Sequence, residues 1–163
     1  MAKKSSDKPK GPAGDKTKAP ASPREHWKDE PEAHDFPAAA DFLSLVAQAD
    51  DVKRLVSALK TAPIQRRKAK DLLRASALAL LPADNAHVVA DLAKVRQGEA
   101  LSPVLLVRGD LRRSAPMVIA DGYHRVCASY HLDENADIPC FVADLGSAPS
   151  RRASSSRGTS TVQ

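Results

Sequence analysis

The chain has 163 residues, and its 25 Lys and Arg against 20 Asp and Glu give a formal charge of +5. That length supplies one well-cored domain and excludes two. The charge is unevenly spread: residues 1–28 hold eight basic and three acidic side chains, residues 147–163 three and none, and the part between 14 and 17. A basic folded face for nucleic acid is therefore not what the composition describes, because the excess sits at the two ends.

Six of the 12 prolines fall in residues 1–37, interleaved with Lys, Ser, Gly and Asp. Such a stretch cannot bury enough apolar area to offset the entropy of ordering it, so residues 1–37 are predicted to be a disordered basic tail. The Arg/Ser-rich residues 147–163 read the same way. Lys3 and Lys4 are followed by polar residues, not by the apolar region of a secretory signal, and apolar runs such as 103–107 are far shorter than the roughly 20 residues of a membrane span. The expectation is a cytoplasmic protein without a membrane partner, its Cys127 and Cys140 unpaired.

Phe42, Leu43 and Val46, and then Val52, Leu55, Val56 and Leu59 behind the capping candidates Asp50 and Asp51, recur at helical spacing. They predict a helical extension over residues 38–62. Residues 63–146 form the expected main domain. In it, 64–80 is ambiguous, with a basic cluster at Arg66, Arg67, Lys68 and Lys70 and a short helix possible over 71–80. Residues 86–97 read as a helix bounded by Asp84 and Asn85 before it and Gly98 after it. The runs at 104–107 and 117–119 predict two strands, paired as a hairpin or as neighbours. Asp121 and Gly122 break the second, a helix follows to Leu132, and residues 138–142 return as a strand. The class is α+β.

The five residues Asp121, Gly122, Tyr123, His124 and Arg125 join a strand to a helix, and this position suits a phosphate. A helix start offers unpaired N–H groups and partial positive charge, Gly122 lets an anion approach the backbone, and Arg125 can grip phosphate oxygens with two donors. Charge-assisted bonds of about 1.5–3 kcal/mol outweigh the dipole's roughly 0.3–1, so Arg125 is expected to dominate. The plain alternative is a strand-to-helix turn in which Asp121 caps the helix and Arg125 pairs with an acid.

At Gly122, Tyr123, His124, Arg125 and Ala128 the chain resembles the ParB/sulfiredoxin superfamily, whose shared element is a glycine, one variable residue, a basic pair and a small residue three positions on. The likeness runs from Asn85 through the Gly98–Glu99 turn and residues 101–107 to Ile138 and Pro139. It implies a small mixed β-sheet flanked by helices, nucleotide phosphates held at this turn, and magnesium accompanying a nucleoside triphosphate. Tyr123 stands where sulfiredoxin has its reactive cysteine, and Cys127 lies one turn inside the helix, which argues against sulfinic-acid reduction. No helix-turn-helix domain is expected after Asp144, so the chain looks like a small stand-alone member. By the same likeness Asn85 and His87 lie near the phosphates.

Candidate roles follow. Gly122, Tyr123, His124, Arg125, Asn85 and His87 are expected to bind nucleotide or phosphate, and Asp121 and His124 to act in catalysis, whether hydrolysis or phosphoryl transfer. Asn85 alternatively serves as a helix cap alone. His124, Cys127, His131 and Cys140 could be drawn together as a zinc site, but buried small hydrophobes are the favoured reading of the two cysteines. The rival function is a non-enzymatic adaptor that associates with DNA through its basic tails.

Overall fold

The computed structural model describes residues 25–145. Two sheets and five helices are built from them. Strand β1 (His26–Trp27) pairs in parallel with β3 (Ala100–Leu101), and β2 (Gln65–Lys68), β6 (Asp137–Ala143), β4 (Val104–Val107) and β5 (Val118–Asp121) form a second sheet in that spatial order. In this sheet β6 runs antiparallel to β2 and parallel to β4, and β5 runs antiparallel to β4. The expected mixed sheet flanked by helices is present, and the α+β class holds.

The alternation of side chains along each strand divides the core in two. Val104 and Leu106 of β4, with Ile138 and Cys140 of β6, face α3 (Ala69–Ser76), α4 (Ala86–Arg96) and α5 (Tyr123–Leu132). Leu105 and Val107, with Phe141 and Ala143, face α1 (Asp35–Ser44) and α2 (Ala49–Thr61). Strand β4 is buried on both faces, which explains its unbroken run of apolar residues. The helices expected as an extension over 38–62 are α1 and α2, and they are the cover of the sheet's second face. Leu43, Leu55 and Leu59, buried there, place their apolar stripes against it.

The expected tail boundary at residue 37 is corrected by the fold, which includes residues 25–37. Trp27 packs against the core on the α3–α5 side, His26 and Trp27 register with Ala100 and Leu101, and α1 begins at Asp35. A single tryptophan brings a large apolar surface to an otherwise polar stretch, which composition averaged over 37 residues conceals. The rest of the two expected tails, residues 1–24 and 146–163, lies outside the described residues. The ambiguous stretch 64–80 resolves into β2 and α3, the helix ending at Ala77 in a left-handed conformation. The basic cluster is thereby divided: Lys68 pairs with Asp137 at 2.8 Å and Lys70 donates to Asn135, while Arg66 and Arg67 stand exposed on an edge strand.

Candidate functional site

Strand β5 ends at Asp121, Gly122 turns the chain with φ +97°, and α5 starts at Tyr123. That φ lies in the region glycine tolerates and other residues avoid. A Cβ at Gly122 would also stand 3.0 Å from both Val104 Cγ2 and Arg125 Nη2. Among the described residues no side chain caps α5. Its first-turn N–H groups are therefore open to an acceptor of another kind. Asp121 is not the helix cap that the plain reading of the turn anticipated, because its carboxylate accepts from Arg125 instead.

Arg125 is the centre of a buried ionic network. Its Nη2 donates to Asp121 Oδ2, and its Nη1 lies 3.6 Å from Asp35 Oδ1. Asp35, only 1% exposed, arrives from the first turn of α1. Its Oδ2 accepts from Ser102 Oγ and from the Glu32 backbone N–H at 2.8 Å. Two carboxylates thus claim one guanidinium that is 14% exposed. The expectation of Arg125 as a free two-donor grip on phosphate is corrected: the structure makes it a strut that fixes β5, α5 and α1 together. Burial nevertheless raises the Asp121 carboxyl above its ordinary range, a larger effect than the lowering by Arg125.

Above this strut lies a polar cleft of about 170 Å³ lined by His87, Ala90, Asp91 and Lys94 from α4 and by Asp121, Gly122, His124 and Arg125. The His87 and His124 rings sit with centroids 4.6 Å apart at a tilt of 36°. Burial, and then the neighbouring His87, hold the His124 imidazole below its usual pKa, which keeps it neutral at pH 7. Lys94 Nζ is 3.1 Å from Asp91 Oδ1. Two cations and two carboxylates line the space, so their formal charges cancel and an anion there would rest on the helix N-terminus and the two imidazoles.

Five predicted residues therefore meet at the cleft: Asp121, Gly122, His124, Arg125 and His87. Two do not. Asn85 caps α4, its Oδ1 accepting from the His87 and Val88 N–H groups, and Tyr123 packs on the core with its hydroxyl donating to the Ala79 carbonyl. Cys127 and Cys140 are fully buried in the core, where burial pushes the Cys140 thiol up to about 11. His131 contacts the Leu81 carbonyl through Nε2 at 2.7 Å. Asp91 and Lys94 were missed, although they follow His87 at i+4 and i+7 and so share one face of the best-marked helix. Asp35 and Ser102 carried no local signal at all.

A second cavity, about 330 Å³, opens between α3 and residues 108–117. Leu72, Leu106, Met117 and Val142 make it apolar, and it contains none of the predicted site residues. No family model, no curated protein and no solved structure matches the chain.

Proposed function

We propose that the chain is a ParB/sulfiredoxin-like phosphate-binding domain and that the cleft between α4 and α5 takes the terminal phosphate of a nucleotide. The observation that carries this reading is the uncapped start of α5 at Gly122, opening into a polar cleft beside His124, His87 and Lys94. Backbone N–H groups at such a start bind phosphate oxygens, and the glycine admits the anion closely. The volume of about 170 Å³ is below the roughly 300–1,000 Å³ of pockets that enclose whole ligands. The phosphate enters and the remainder of the nucleotide lies across the rim.

Arg125 supports the bound phosphate from below by holding the turn, and Asp121 positions Arg125. With both groups engaged in that pair, His124 is the residue free to give or take a proton at a phosphate oxygen, seconded by His87. Asp91 and Asp121 are each paired with a cation, so magnesium belongs to this reading as an ion carried in on the phosphates.

The test is calorimetry of the full chain with ATP, CTP, GTP, ADP and inorganic phosphate, with and without magnesium. Arg125→Ala disturbs the fold as well as the site, so His124→Asn and Lys94→Ala are the informative variants. Binding by the parent that weakens several-fold in both supports the reading. Absence of binding to every member of the panel, or affinities unchanged in both variants, refutes it.

A further inference from the structure

Away from the cleft, the segment between β1 and α1 brings Glu32, His34 and Asp35 together, with one ligand-capable atom of each lying within 4.8 Å of the others. His34 Nε2 is 3.4 Å from Glu32 Oε2 and 3.5 Å from Asp35 Oδ1. An ion held tetrahedrally about 2.0–2.2 Å from nitrogen and oxygen ligands keeps adjacent ligand atoms about 3.3–3.5 Å apart. The two edges already have the dimensions of a coordination polyhedron.

A separate observation points to an occupant. Asp35 Oδ1, on a side chain only 1% exposed, accepts no hydrogen bond from any described residue, whereas Oδ2 of the same carboxylate is held by Ser102 Oγ and the Glu32 N–H. Those two donors lock the carboxylate with its unbonded oxygen turned toward His34. Arg125 Nη1, at 3.6 Å, lends that oxygen charge but no hydrogen bond. A buried carboxylate oxygen without a donor is costly, and a cation satisfies it as a donor would. Lys28 engages Glu32 Oε1, which leaves Oε2 for the ion. His34, 73% exposed, opens the remaining coordination positions to solvent.

We propose that Glu32, His34 and Asp35 form a three-ligand, solvent-open site for a divalent transition-metal ion, with zinc as its fitting probe. One imidazole and two carboxylates match zinc and its borderline neighbours, while magnesium prefers an all-oxygen shell rich in water. Ser102 and Arg125 serve as the outer partners that orient Asp35. The site shares no ligand with the phosphate cleft, though Arg125 borders both, and neither proposal depends on the other.

The experiment strips the full chain with a chelator, then titrates zinc by calorimetry and cobalt by visible absorption. His34→Ala and Glu32→Gln are chosen because both side chains are at least partly exposed, and their thermal unfolding in chelator should match the parent's. One zinc per chain is expected, weakened at least ten-fold in each variant and unaffected by the double change His87→Ala with His124→Ala. No zinc binding by the parent, an affinity in either variant within ten-fold of the parent's, or affinity lost on changing His87 and His124 instead would overturn the site.

Discussion

Arg125→Met keeps much of the side-chain stem and deletes its charge, which isolates the part of the network that holds two carboxylates together. In the parent the guanidinium is 14% exposed, between Asp35 at 1% and Asp121 at 20%. Removing one member of a buried ion pair costs about 3–5 kcal/mol, since the remaining charge is left uncompensated. Asp35 retains Ser102 and the Glu32 N–H, and Asp121 borders the open cleft, so the lower end applies: about 3 kcal/mol at pH 7. For a domain of this size that lowers Tm by about 10 °C. The pH dependence has a fixed sign. The Asp121 carboxyl is already raised by burial, and losing Arg125 raises it further. A carboxyl raised in the folded state contributes stability below its unfolded pKa that is lost as pH rises through the folded value. The deficit of the variant is therefore full at pH 7 and shrinks toward pH 4. Urea unfolding at pH 7 and pH 4.5, with Asp35→Asn and the double variant completing a cycle, measures both effects. The cycle should show the two substitutions at least about 1 kcal/mol less harmful together than their sum. A deficit below about 1 kcal/mol at pH 7, or one that fails to shrink with acid, would refute this account of Arg125.

Trp27, the sole tryptophan, should emit as a partly buried indole and report the same cooperative unfolding as far-ultraviolet circular dichroism, and a chain starting at residue 38 should be markedly less stable than one starting at residue 25. An emission maximum unchanged across the unfolding transition would contradict the docking of β1. Gly122→Ala forces an alanine to φ +97° with contacts at 3.0 Å, and thermal denaturation should show a loss of at least about 1–2 kcal/mol. His124, whose imidazole is held below its usual pKa by burial, contributes stability above about pH 6.5 that is lost as pH falls, so His124→Asn should flatten the decline between pH 7 and pH 5. Phosphate affinity should move the opposite way, rising on acidification as the His124 imidazole charges.

What could be read from the sequence was whatever the chain states locally. Strand β4 declares itself because both faces are buried, and α4 because Asn85 and Gly98 mark its ends. Strand β2 was hidden because an edge strand of Gln, Arg, Arg and Lys has no apolar alternation, and only its pairing with β6 makes it a strand. The cleft was partly legible, since Asp121 through Arg125 are contiguous and His87 starts a neighbouring helix. The error over Arg125 had a physical origin: an arginine's availability depends on what else faces it, and Asp35 lies 90 residues away in a segment whose composition resembles a tail. Glu32 and His34 were passed over for the same reason.

The strand order also governs how this domain comes into being. β6, the last strand along the described chain, occupies the interior of its sheet, between β2 and β4. Until it emerges, β2 has no neighbour and the only completed piece of that sheet is the β4–β5 ribbon, and a lone two-stranded ribbon is marginal in water. The partners of β6 enter well before it, with Lys68 waiting for Asp137 and Val104 for Cys140. Closing such long loops before any contact rewards them is slower than forming the local contacts of a helical bundle. During synthesis, then, the sheet that α1 to α5 cover stays incomplete until residues 137–143 arrive, and that single seven-residue strand joins β2 to β4 and so completes both of its faces.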